Sequence, residues 1–371
     1  SQLQAMPHAL PRALMLMGMI ALVTGVLAGL ARLAVGVPPF AASQAGHHGA
    51  LMIAGFLGTV IALERAAALA GGGLRWPFLG PLAAGLGGLF LLVDLPLAVV
   101  HALFALAGLI LTIGSTLLFF RQPAAHLATL ALGAAAWLGG TLVWWIHGSL
   151  PDAVPWWIDF LLLTIAGERL ELTRFLPTSR TARRLFVVTV AMLLSGPLLV
   201  LWHEQAGSRL LAAGCIALAL WLMRQDIARH TVSIAACLLS GYAWLAIGGL
   251  LGLAGGFVPG SAWRDAALHA IFVGFVMAMI FGHVPIIFPA VAKLRIPYHP
   301  VLYLPLAPLH LSLLARTVGD LLAWPSLART AAIGNALTLL LFALIVLAWA
   351  EARPPAAAGI SMPPRAEVLE P

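Results

Sequence analysis

Imidazole is the side chain most ready to ligate a transition metal or pass a proton near neutral pH. Inside an apolar segment its desolvation has to be offset by a partner. Two stretches of this sequence place it so. Gly46-His47-His48-Gly49-Ala50-Leu51-Met52 opens one long apolar run, and Leu268-His269-Ala270-Ile271-Phe272-Val273-Gly274 stands near the start of a much later one. A ligand, a metal or a proton path would each explain them. We read the pair as gripping one haem, because two neutral imidazoles make a six-coordinate iron centre suited to electron transfer. Glycine beside a ligand lets a flat ring approach the helix, since no Cβ intervenes. Gly49, directly after His48, and Gly274 and Gly282, after His269, fit that use.

The other polar residues leave more than one reading open. His47 is about 100° from His48 around a helix and cannot face the same iron, so copper, a haem propionate or water is its expected partner. His283 follows His269 along nearly the same face, about 21 Å further on. Its expected partners are His310, near the middle of the following segment, and His299, at that segment's start. A second haem, a copper or simple hydrogen bonding are all compatible with that spacing. Arg264, at the mouth of the His269 segment, either neutralises a propionate or pairs with Asp265. Arg316 and Asp320, four apart on one helix face, read as a buried ion pair or as a propionate clamp. His101 and His147 lie near segment ends on the side of the proposed haem. His126, His203 and His230 sit at segment ends, and His8 lies in the N-terminal arm.

The elements that must position these residues are membrane helices. The chain is 62% hydrophobic and 9% charged over 371 residues, which leaves no room for a soluble domain. Spans of about 20 apolar residues are expected near 13–35, 46–70, 76–94, 97–120, 125–147, 154–175, 184–202, 208–223, 230–255, 265–291, 299–322 and 327–350. The fold expected is thus an all-α polytopic membrane protein of about 12 transmembrane helices. Residues 1–350 would form one membrane domain, and 351–371, rich in Pro and Ala, a disordered cytoplasmic tail. The first segment reads as a retained helix rather than a cleaved signal. Cys215 and Cys237 form no C-x-x-C or C-x-x-C-H pattern, so covalent haem attachment is not expected and both read as buried core.

The net charge of +7 is a membrane-topology signal rather than a nucleic-acid one. Loops on one side collect most of the arginines, among them Arg12, Arg75, Arg121, Arg180, Arg183 and Arg184. The other side holds Arg32, Arg209, Arg264, Arg316 and Arg329. The positive-inside rule then puts both termini in the cytoplasm, in a bacterial-type inner membrane. Trp144, Trp145, Trp156 and Trp157 would belong to an outer aromatic belt. The second and tenth helices both run from outside to inside, with His48 and His269 each about one turn in. Equal depth is what opposite axial ligands of one iron require.

A weak repeat joins the pattern. Leu63-Glu64-Arg65-Ala66 ends the second helix, and Gly167-Glu168-Arg169-Leu170-Glu171 lies near the end of the sixth. Helices 2, 6 and 10 would be equivalent if three groups of four were set around a pseudo-threefold axis. The plainer reading has both arginines reaching out to the interface.

His48-Gly49-Ala50-Leu51-Met52 resembles the H-G-x-x-M stretch of helix 2 in subunit I of the haem-copper oxidases. His269-Ala270-Ile271-Phe272-Val273-Gly274, continuing through Ala278-Met279-Ile280-Phe281-Gly282, is similar to that family's helix 10 after its low-spin haem ligand. The resemblance implies that His48 and His269 are the axial ligands of a low-spin b-type haem. It also implies what is missing. Ala267 stands where the high-spin haem ligand should be. Leu161-Leu162-Leu163-Thr164-Ile165-Ala166 and Val187-Val188-Thr189-Val190-Ala191-Met192 stand where copper-binding motifs should be. An oxygen-reducing binuclear centre is therefore not expected. The NnrS family, distant relatives of subunit I linked to nitric oxide metabolism, is a closer resemblance. It implies at least one haem b, with room for a second haem or copper, and a role in nitric oxide metabolism or electron transfer. Competing expectations are a proton-coupled transporter built on intramembrane His, Glu and Arg, and a haem-holding assembly subunit of a respiratory complex.

Overall fold

The computed structural model describes residues 9–226, 232–292, 294–297 and 299–352. Expectations for His8, His230, Lys293 and the tail from 353 onward fall outside them. The chain is an all-α polytopic membrane protein. Eleven described helices are long and apolar enough to cross a membrane: α1 (Ala9–Arg32), α2 (Ala45–Ala70), α4 (Leu97–Arg121), α5 (Ala125–His147), α6 (Leu150–Leu172), α7 (Arg180–Val200), α8 (Glu204–Asp226), α9 (Ala235–Gly256), α10 (Arg264–Pro289), α11 (Pro300–Leu321) and α12 (Pro325–Trp349). The remaining one, α3 (Trp76–Leu92), is apolar but shorter. It ends where Asp94 takes a left-handed φ of 53° just before Pro96, a pair that stops the helix short of the predicted span.

Proline explains the other displaced boundary. The Leu150-Pro151 pair read as a connection, yet α6 begins there, because proline in a first turn lacks an N–H that would be unpaired anyway. Pro325 does the same for α12. Glu351–Ala352, expected as the start of a disordered tail, pairs antiparallel with Leu294–Arg295. Backbone hydrogen bonding holds those two residues to the α10–α11 connection.

Consecutive helices pack as antiparallel neighbours, most extensively α5 with α6, then α4 with α5 and α7 with α8. With lipid on the outside, close approach rather than hydrophobicity drives this packing. At Gly140 on α5 a Cβ would stand 2.7 Å from both Trp156 and Trp157 of α6, so only glycine lets those indoles in. Trp137, Trp157 and Phe160 are wholly buried at this seam, with the Trp137 and Phe160 rings stacked 4.9 Å apart.

Three described helices share a local irregularity, α9 carrying it at its end over Gly252–Gly256. α2 widens into a π-helical segment over Leu51–Gly58, and α10 does so over Ala270–Met277. Such wide turns recur at functional sites. Those of α2 and α10 each follow one of the two singled-out histidines, three residues after His48 and one after His269.

Candidate cofactor site

α2 and α10 bring His48 and His269 together, with ring centroids 6.3 Å apart and planes 15° from parallel. Each ring is fixed through Nδ1. His48 Nδ1 donates to the Gly25 carbonyl of α1 at 2.6 Å, and His269 Nδ1 donates to the Asp265 carbonyl one turn back in its own helix at 2.7 Å. A carbonyl only accepts, so both protons sit on Nδ1 and both Nε2 atoms carry a bare lone pair. Holding a ligating histidine by its other nitrogen is how proteins set the tautomer and orientation of metal-binding imidazoles.

α1 makes room for the first of these rings. A Cβ at Gly29 would lie 2.6 Å from His48 Cε1, and one at Gly25 would lie 2.8 Å from Met52 Sδ. Two glycines four apart thus form a notch for side chains of α2. The Gly25-x-x-x-Gly29 spacing was the available sequence signal, and the reading from histidines alone passed over it.

Both histidines line a cavity of about 240 Å³ whose walls include Met52, Leu57, Phe272, Met277 and Leu339. Val154 of α6 and Ala332 and Asn335 of α12 close further sides. Arg32, Arg264, Asp265 and Arg316 stand at the mouth. Asp265 faces Arg32 at 3.8 Å and Arg316 at 3.9 Å, and Arg316 Nε donates to Asp320 at 3.2 Å. Three cations therefore share two carboxylates, and a ligand with anionic groups would even the balance.

The residues fit a haem on three grounds. Metal–imidazole bonds of about 2.0 Å, with about 1.1 Å more to each ring centre, put trans imidazoles on one metal about 6.2 Å apart between centroids. The observed separation agrees. Among the described residues no group of three or more His, Cys, Asp or Glu could hold a metal ion. Iron between two imidazoles would need its other ligands from a ring that comes with it. Finally, a Cβ at Gly49 would meet nothing within 4 Å, which leaves α2 open to a flat ligand on the cavity side.

Several sequence expectations change. Gly274 does not line the cavity: a Cβ there would strike Trp244 at 2.4 Å, so it serves the packing of α10 on α9. Gly282 faces Cys237 in the same way. Arg264, read as a propionate partner or as a mate for Asp265, donates from Nη1 to the Phe257 carbonyl at 2.5 Å. His47 donates from Nδ1 to Gln44, whose amide reaches Asp94, and is not among the cavity residues. His283, His310 and His299 each engage Nδ1 with a different neighbour. His283 Nδ1 donates to the Met279 carbonyl at 2.7 Å. His310 Nδ1 accepts from Trp244 Nε1 at 2.9 Å, and His299 Nδ1 accepts from Val301 N at 3.1 Å beside Trp349. His101 packs edge-on against Trp144 at 4.3 Å, and His147 meets Asp152 at 3.0 Å. Arg32 and Asn335 are polar cavity residues that sequence reasoning missed.

At the opposite end of the bundle the two Glu-Arg pairs turn inward. Arg65 hydrogen-bonds Glu168 and lies 3.9 Å from Glu64 and 3.8 Å from Glu171, while Arg169 bonds Asp226 at 2.9 Å. Asp226 also accepts from the Tyr242 hydroxyl. With side chains 11% and 5% exposed, Arg65 and Arg169 join helices together rather than reaching the interface.

Residues 11–351 match the family described as Domain of unknown function (DUF8744). No curated protein and no solved structure matches the chain.

Proposed function

This chain belongs to the DUF8744 family, and we propose that it is a membrane redox protein holding a haem between His48 and His269. The reading is carried by one observation: two parallel imidazoles, 6.3 Å apart, with their bare nitrogens on a shared cavity. The haem is held without covalent attachment, as a b-type haem is, since neither cysteine belongs to an attachment motif. A bound haem would supply a one-electron carrier. The chain's own residues do the rest. The Gly25 and Asp265 carbonyls orient the ligand rings. Gly49 leaves the ring a close approach to α2, and Arg32, Arg264 and Arg316 provide cations for propionates at the mouth. The apolar walls exclude water from the iron.

The resemblance of the His48 and His269 stretches to NnrS and to oxidase subunit I favours electron transfer or nitric oxide metabolism over oxygen reduction. The arginine distribution favours a bacterial inner membrane with both termini cytoplasmic. Purified protein should show a Soret band and a low-spin bis-imidazole spectrum. His48→Ala and His269→Ala should each abolish that spectrum. A wild-type preparation that takes up no haem overturns the reading.

A proton-coupled transporter is the second reading, favoured by Asp159 of α6. It is wholly buried, and neither carboxyl oxygen has a hydrogen-bond partner among the described residues. An acid so placed marks proton paths in transporters. Proton-coupled uptake in liposomes that survives both histidine substitutions would put this reading first.

A further inference from the structure

The connection from α6 to α7 and the first turns of α7 gather four arginines, Arg174, Arg180, Arg183 and Arg184, and no acidic residue occurs between Glu171 and Glu204. All four are exposed. Arg174 lies 3.7 Å from Glu171, and Arg183 donates to the Thr178 carbonyl at 3.3 Å. Arg180 and Arg184 have no partner among the described residues. The other acids at this end, Glu64, Glu168 and Asp226, are committed to Arg65 and Arg169. Apolar side chains stand among the arginines. Phe175 is 86% exposed, with the Arg174 guanidinium 4.7 Å from its ring centre, and Leu172, Leu176 and Leu185 are exposed as well.

Along α7 the same two characters follow in order. Arg180, Arg184, Val187 and Val188 are exposed and spaced i, i+4, i+7 and i+8, so they share one face. The opposite face is held by α8, where Phe186 packs on Trp221 and Trp221 Nε1 donates to the Ala182 carbonyl at 2.8 Å. On the free face charge gives way to hydrocarbon within about one turn. A topology bias needs only charge, whereas this patch pairs charge with exposed apolar groups, the profile of a bilayer interface. We propose that it binds an anionic phospholipid, with the phosphate on Arg180 and Arg184 and an acyl chain along Val187 and Val188. A zwitterionic headgroup would bring a cation of its own to the arginines. α7 is the least enclosed of the described spanning helices and packs chiefly on α8, so a lipid held there steadies that pair against the bundle. The site is separate from the histidine cavity and does not depend on what fills it.

Protein purified in a neutral detergent and titrated with phosphatidylglycerol or with phosphatidylcholine tests this, bound lipid being counted by native mass spectrometry. Each arginine at an anionic surface is worth about a fivefold preference. Wild type should therefore favour phosphatidylglycerol, and Arg180→Gln combined with Arg184→Gln should lower that preference about 25-fold. Phe175→Ser should weaken both lipids and leave the preference intact. Phosphatidylglycerol should also raise the melting temperature of wild type and not that of the double variant. Equal binding of the two lipids by wild type, or a preference that survives loss of both arginines, overturns the proposal. Displacement of bound phosphatidylglycerol by inorganic phosphate or by soluble polyglutamate overturns it too, since the patch would then serve free anions or an acidic protein.

Discussion

The two ends of this bundle hold similar residues in opposite states. At the far end Arg65 sits among three glutamates, and Arg169 is closed off by Asp226 and Tyr242. Those charges are committed to one another and link α2 to α6 and α6 to α8. At the cavity end His48 and His269 each use one nitrogen for the protein and leave the other bare. The difference separates cohesion from chemistry. A polar group in an apolar bundle has to be paired, so one left open on a cavity marks where a ligand belongs.

The sharpest way to break this contrast is to delete one group at each end. His269→Ala should remove the bis-imidazole spectrum entirely while thermal unfolding in detergent changes little. Arg169→Met should do the reverse. Leaving the Asp226 carboxylate buried without its cation should destabilise the fold by about 3–5 kcal/mol, and the spectrum of the protein that survives should be unchanged. Loss of haem in Arg169→Met at equal folded fraction would show that the two ends are not independent.

Smaller changes sharpen the boundary. Gly29→Val pushes a side chain into His48 and should destabilise by about 1–3 kcal/mol, with a shifted spectrum because the ligand ring is displaced. Gly49→Ala, by contrast, should leave the apoprotein as stable as wild type or up to about 1 kcal/mol more so, yet weaken haem binding in a titration. The smallest effect is expected for Arg264→Gln, because its guanidinium already serves the Phe257 carbonyl. A few-fold loss of haem affinity, diminished at high salt, is the expected result.

The membrane helices were legible because apolar runs of spanning length have little alternative. His48 and His269 were legible because imidazole is conspicuous among aliphatic residues, and their equal depth followed from counting turns. What surrounds them was less legible: the Gly25-x-x-x-Gly29 spacing signals a notch but not the side chain that fills it. Gly25, Gly29, Arg32 and Asn335 belong to helices whose rotation about their own axes is set by neighbours far away in the sequence. Gly274 was assigned to the wrong surface for a more specific reason. Five residues at about 100° each already turn it about 140° away from His269, so closeness along the chain was taken for closeness in space, and it packs on Trp244 instead. The arginines of the Glu-Arg pairs were read as reaching outward because their carboxylate partners, Glu168 for Arg65 and Asp226 for Arg169, come from other helices.

The wide turns of α2 and α10 have a further consequence. A π turn takes in a residue that a regular helix would have no place for, so it works as a phase adjuster. The rotation of α2 at His48 is set separately from its rotation at Glu64 and Arg65, although one continuous helix carries all three. Removing one residue from the regular turns between Thr59 and Leu63 would swing one end of α2 against the other by about 100°, and ligand geometry and the ion cluster could then no longer be satisfied together. The same removal within Leu51–Gly58 would take out only the extra residue and leave the two ends in phase. The irregularity is what lets a single helix be in register with two unrelated sites.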